Sequence, residues 1–274
     1  MPPSTGQPKI ALPGVKTILA IASGKGGVGK STVATNLALA IQMHGNRVGL
    51  VDADIYGPSI PRMMGVPGVV DQSTTRMPME RYGIKLMSMG FLVPPTQAVI
   101  WRGPMVHKAI TGFLTDPNMD WGQLDYLLVD LPPGTGDAQL TLSQTIALSG
   151  ALIITMPQEV SQTVAHRGLE MFRQVRVPVI GIVENMSYFV NEDGKRYEIF
   201  QHGGGQKLAA DTGVPFLGEI AIDPRVAECG DAGEPIVRKY PDSLVAKAFL
   251  ELATRVIHEL QTATHQAPMP VLQL

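Results

Sequence analysis

Residues 24–32 read Gly24, Lys25, Gly26, Gly27, Val28, Gly29, Lys30, Ser31, Thr32, an order of glycine, lysine and hydroxyl side chains suited to holding a polyphosphate. Glycines let the backbone curl until successive N–H groups converge on phosphate oxygens, and a helix starting at the same point adds its positive end. Lys30 is placed to bridge the β and γ phosphates of ATP, and the Ser31 hydroxyl to hold Mg²⁺. The nine residues follow a β-prone apolar run and open a helical segment. That is the context in which G-x-x-x-x-G-K-[ST] marks a phosphate-binding loop.

Carboxylates end two further apolar runs. Asp52 and Asp54 flank Ala53 after 47–52, and Asp130 closes Asp125-Tyr126-Leu127-Leu128-Val129-Asp130. Ligands of open parallel sheets bind beyond the carboxyl ends of strands, so all three acids are site candidates. Asp130 is expected to reach Mg²⁺ through water, because that ion keeps much of its hydration shell. The residues after it, Leu131-Pro132-Pro133-Gly134-Thr135-Gly136-Asp137, form a loop able to approach a γ-phosphate closely, ordering with ATP and relaxing after hydrolysis.

The elements that must position these groups are legible as an alternation. Short apolar or β-branched runs occupy 17–23, 47–52, 84–89, 125–130, 151–156, 178–183 and 214–220, most of them separated by helix-period segments, the clearest at 31–44, 161–175 and 242–261. Strands buried on both faces read this way, which predicts an α/β, doubly wound, mostly parallel sheet with helices on both faces. The stripe Val245, Phe249, Leu252, Val256, Leu260 is expected to pack on the sheet rather than on a membrane. One ATPase domain is expected at 15–262. Residues 1–14 and 263–274, rich in proline and polar residues, read as flexible tails.

Composition narrows the functions. A net charge of −2 lacks the basic footprint of a nucleic-acid binder. No leader pattern or membrane-length apolar run is present, so a cytoplasmic protein with neither nucleic-acid nor membrane partners is expected. Cys229 is the single cysteine, which excludes an intramolecular disulfide and any many-cysteine metal site within the chain; His166 and His202 are isolated in sequence.

The second lysine of the loop, Lys25, resembles the deviant phosphate-binding loop of the MinD, ParA, arsenite-ATPase and nitrogenase iron-protein superfamily. Within it, GKGGVGKST at Gly24, DADIYGPSIP at Asp52, WRGPM at Trp101, LPPGTGDAQLTLSQ at Leu131, ENMSYF at Glu184 and HGGG at His202 resemble the Mrp/ApbC group of iron-sulfur cluster carrier ATPases over nearly the whole chain. The resemblance implies a MinD-like P-loop NTPase fold and a homodimer in which Lys25 reaches the partner's nucleotide. It implies that Asp54 positions or activates the attacking water, that Asp52 sits nearer the metal shell, and that Asn185 reads adenine. It also implies a role in assembling or delivering iron-sulfur clusters, with apoproteins or scaffold proteins as partners. The alternative is a MinD/ParA-like positioning ATPase with no metal-cluster role. Members of the group carry Cys-x-x-Cys shortly after ENMS, and many carry a small extra N-terminal domain. Here the stretch after ENMS, 189–197, has no cysteine, no Fe-S ligand is identified, and Asp193-Gly194 reads as a hairpin turn.

Overall fold

In the computed structural model, which describes residues 9–54, 57–66, 77–91, 103–116, 119–134 and 136–266, the chain alternates strand and helix as its apolar runs require. β1 (Val15–Ser23) leads through the glycine-rich loop into α1 (Lys30–Met43), followed by β2 (Val48–Asp52) and the short α2 (Ile60–Met63). Next come β3 (Met79–Arg81), β4 (Ile84–Ser88), α3 (Gly103–Thr115), β5 (Leu124–Asp130), α4 (Asp137–Thr145) and β6 (Gly150–Thr155). The remainder holds α5 (Glu159–Gln174), β7 (Val179–Glu184), β8 (Phe189–Val190), β9 (Arg196–Tyr197), α6 (Gly204–Thr212) and β10 (Phe216–Glu219). It ends with α7 (Pro224–Ala232), α8 (Ile236–Lys239) and α9 (Leu244–Gln266).

Eight strands form one sheet in the order β10-β7-β6-β1-β5-β2-β4-β3, parallel throughout except for β3. From β1 the chain crosses toward β2, whereas from β5 and from β6 it crosses the other way. Right-handed connections therefore place α1 on one face and α4 and α5 on the other, the doubly wound arrangement expected. The reversal at β1 opens a crevice at its carboxyl end, where the glycine-rich loop lies.

Several elements differ from the sequence reading. β3 pairs antiparallel with β4 through a turn at Tyr82 and Gly83, both at positive φ (54° and 75°). Two left-handed residues match a tight hairpin turn, but Tyr-Gly lacks the usual Asn or Asp signal. Residues 9–14, assigned to a tail, are fastened to the body: Ile10 N–H donates to the Thr145 carbonyl (2.8 Å) and Leu12 is buried. At the other end α9 continues to Gln266, past the boundary set at 262. The terminal segments 1–8 and 267–274, Tyr56, Trp101 and Thr135 lie outside the described residues. The α9 stripe packs as expected: Val245, Phe249, Leu252, Val256 and Leu260 are buried, with α9 against α1 and β7, each side chain contributing about 2 kcal/mol relative to exposure. Among the described residues no helix is long and apolar enough to cross a membrane.

Candidate nucleotide site

The loop between β1 and α1 is shaped by close approach on one side and openness on the other. A Cβ at Gly24 would lie 2.4 Å from the Val164 backbone of α5, whereas one at Gly26 or Gly27 would meet nothing within 4 Å. Gly27 and Gly29 take φ of 79° and 77°, and Gly29, the N-cap of α1, gives the first turn no side-chain cap. The first N–H groups of α1 are thus left for a ligand. A cavity of about 210 Å³ lies here, lined by Lys25, Lys30, Ser31, Thr32, Asp54 and Pro133 among others.

Sheet register delivers the carboxylates. β5 lies beside both β1 and β2, so Asp130 sits next to Ile21 on one side and Asp52 on the other. Asp130 is fully buried; one oxygen accepts from Lys30 Nζ at 2.6 Å and the other from Ser31 Oγ at 2.6 Å. Burial pushes the Asp130 carboxyl up, against the pull of Lys30 and Ser31. Burial, and then the neighbouring Asp130, push Asp52 up to about 7. Lys30 supplies the one positive charge bonded to this buried pair of carboxyls, and a bound cation would offset the negative charge that remains. Hard oxygen donors of this kind, a serine hydroxyl and carboxylates, fit Mg²⁺.

Asp52 does more than the sequence reading gave it. Its Oδ1 accepts from the Asp54 N–H (3.2 Å), and its Oδ2 accepts from the Ile60 N–H (3.2 Å) and Ser88 Oγ (3.1 Å). The carboxylate therefore gathers both ends of the segment that carries Asp54, and Asp54, not Asp52, lines the cavity. On the far side, Gly134 N–H donates to the Ser23 carbonyl (3.0 Å), and Gln139 of α4 holds the Pro132 carbonyl. The loop after β5 is thereby moored beside the phosphate-binding loop.

Asn185 follows β7 and reaches the loop directly: its Nδ2 donates to the Val28 carbonyl at 2.8 Å. It lines a second cavity of about 580 Å³, mostly apolar in its surroundings, which shares Gly29, Thr32, Ser59 and Met63 with the first. The sequence reading missed the rest of that lining, including Arg62, Met186, Asp223 and Pro224. The one available signal was Asp223-Pro224, a helix start in which Asp223 accepts from the Arg225 N–H (3.0 Å). Lys25 contacts its own chain, with Nζ 3.5 Å from Gln158 Oε1 at the start of α5.

The segment after ENMS is the hairpin its Asp-Gly pair indicated, with β8 and β9 antiparallel and Asn191 N–H bonded to the Lys195 carbonyl (3.1 Å). Cys229 is 1% exposed within α7, and burial pushes its thiol up. His202 pairs with Glu198 at 3.1 Å. Among the described residues no group of three or more His, Cys, Asp or Glu side chains could hold a metal ion.

A phosphate-binding loop at the first strand-to-helix junction of a sheet in this order defines a P-loop NTPase. The family described as NUBPL iron-transfer P-loop NTPase, within the ParA group, matches residues 14–257. The chain belongs to this family. It is 51% identical to an iron-sulfur cluster carrier protein of Aquifex aeolicus over 247 residues, covering 88% of this chain and 67% of that one. It is 47% identical to the iron-sulfur cluster transfer protein NUBPL of Mus musculus, covering 95% and 83%. A nucleotide-binding protein of Archaeoglobus fulgidus solved in complex with ADP superposes with a TM-score of 0.70 at 38% identity, covering 84% of this chain and 94% of that one. The cell division ATPase MinD of Pyrococcus furiosus, at 23% identity and a TM-score of 0.66, shares the fold.

Proposed function

We propose that this protein binds and hydrolyses Mg-ATP as a dimeric switch in the assembly or delivery of iron-sulfur clusters, with the thiolates that hold the cluster supplied by another protein. The observation that carries the ATPase reading is the contact of Lys30 and Ser31 with Asp130, both at 2.6 Å, beneath an open loop of backbone amides. Gly24, Gly26, Gly27, Val28, Gly29 and Thr32 cradle the phosphates through their main chain, and Lys30 exchanges its bond to Asp130 for the β and γ phosphates. Ser31 and Asp130 would hold Mg²⁺, which supplies charge neutralisation on the phosphates when bound. Asp54 orients the attacking water and accepts its proton. Asp52 acts on Asp54 through the backbone it fixes. Lys25 leaves Gln158 to reach the partner's nucleotide, and Asn185 reads adenine.

The cluster is cargo in this scheme, and the relatives named as carriers and transfer proteins support that part. The cysteine-free hairpin and the buried Cys229 support ligation by a client or scaffold apoprotein instead of by this chain. The test is turnover and nucleotide binding in two variants. Lys30→Ala is expected to lose ATP binding, and Asp54→Ala to retain ATP while losing turnover and accumulating as a dimer. Undiminished turnover by either variant counts against the assigned role.

A further inference from the structure

Two sequence features, the Glu184 that precedes Asn185 and the glycine run at 203–205, have no part in the phosphate chemistry, yet they meet at one buried carboxylate. Glu184 is the last residue of β7 and fully buried. One of its oxygens accepts from Ser187 Oγ and the other from the Gly205 N–H, both at 2.5 Å. We infer that Glu184 is a positioning residue that fixes the Asn185 amide, and through it selects adenine over guanine. The glycine run serves to bring α6 down onto that carboxylate. This inference rests on the reading of Asn185 as the residue that faces the nucleobase.

The geometry around the turn is over-determined in one direction. Asn185 N–H donates to the Thr155 carbonyl and Ser187 N–H to the Ile220 carbonyl, each at 2.9 Å, so the neighbouring strands pin both ends. Between them Met186 is held at φ 54°, a left-handed conformation unfavourable for any residue but glycine. The Ser187–Glu184 bond closes the turn from beneath. Glu184 is held there by α6, whose approach leaves no room for a side chain at Gly204 and little at Gly205. A Cβ at Gly204 would lie 2.3 Å from the Pro157 carbonyl oxygen, and one at Gly205 would lie 3.0 Å from the Glu184 Cβ.

The selectivity follows from how the amide is committed. Because one Nδ2 hydrogen donates to the Val28 carbonyl, the amide is fixed in orientation and offers a ligand its second N–H together with Oδ1, an acceptor. An acceptor complements the exocyclic amine of adenine and repels the carbonyl oxygen of guanine at the same position. Flipping the amide would set two oxygens against each other at Val28. A loosened turn lets the amide swing away and the preference for adenine falls.

The experiment is titration of ADP and of GDP, with Mg²⁺, into the full chain, read as the ratio of the two Kd values. Loss of fold weakens both nucleotides alike, so a merely structural role leaves the ratio unmoved. The wild type is expected to prefer ADP. Asn185→Ala and Glu184→Ala are each expected to reduce the preference by about 10-fold or more, the effect of a lost polar contact to a base. Glu184→Gln is expected to stay within about 3-fold of wild type, because its amide can accept from Gly205 and donate to Ser187. If Asn185→Ala loses the preference and a folded Glu184→Ala keeps it, the inference about Glu184 is overturned while the reading of Asn185 stands. An unchanged ratio in Asn185→Ala overturns both. Should Glu184→Ala not fold, Ser187→Ala decides: a fall of about 3-fold, the effect of one neutral hydrogen bond, supports the inference, and no fall overturns it.

Discussion

Three glycines of the phosphate-binding loop provide a graded test of the site's geometry, because replacing each with alanine meets a different obstacle. At Gly26 the added Cβ meets nothing within 4 Å and φ is not in the left-handed region, so Gly26→Ala is expected to alter stability by less than about 0.5 kcal/mol. At Gly27 the space is equally open but φ is 79°, so Gly27→Ala carries the backbone cost alone, about 1–2 kcal/mol. At Gly29 φ is 77° and the Cβ would lie 2.3 Å from Asn185 Nδ2. Gly29→Ala therefore adds the loss of the Asn185–Val28 hydrogen bond, about 1 kcal/mol, for a total of about 2–3 kcal/mol. For a chain of this size that corresponds to a fall in Tm of about 4–12 °C. Denaturant unfolding of the nucleotide-free protein measures all three. In the Asn185→Ala background the clash and the bond are both gone, so Gly29→Ala is expected to cost only what Gly27→Ala does, a coupling of about 1 kcal/mol. Equal losses for Gly27→Ala and Gly29→Ala, or no coupling with Asn185→Ala, would refute the argument that Asn185 occupies the space over Gly29.

Two other predictions follow from residues away from the loop. The Arg47 side chain, then Lys16, hold the Asp125 carboxyl well below the usual carboxylate range. A depressed folded pKa contributes stability above the unfolded value of about 4 and loses it as pH falls. The Tm deficit of Asp125→Asn should thus be fully developed at neutral pH and shrink below about pH 4, and a deficit that grows on acidification would contradict the pairing. Anaerobic reconstitution with iron and sulfide, followed by visible absorbance and iron counting, is expected to leave both wild type and Cys229→Ala without a stoichiometric cluster, since the thiol is 1% exposed and burial favours its protonated form. A stoichiometric cluster in the wild type that disappears in Cys229→Ala would show that Cys229 is a ligand.

What the amino-acid sequence determined by itself was whatever depends on neighbours along the chain. The loop at Gly24 to Thr32 needs only its own glycines and the strand and helix beside it, and the buried parallel strands announce themselves as continuous apolar runs. The Asp193-Gly194 turn was readable for the same reason. Tertiary structure decided everything that depends on which strands lie side by side. Lys30 and Asp130 are 100 residues apart in sequence and touch because β5 pairs with β1. Asp52 is drawn from the cavity lining into a brace because β4 brings Ser88 beside it and α2 turns its first N–H toward it. Glu184 and the glycine run at 203–205 read as separate motifs until α6 lies over the end of β7. Even the single cysteine acquires its meaning from α7, which turns it inward. The physical reason is common to all of these: short-range backbone preferences are written in the local order of residue types, whereas hydrogen bonds between buried side chains are fixed by strand register and helix packing, which no local pattern records.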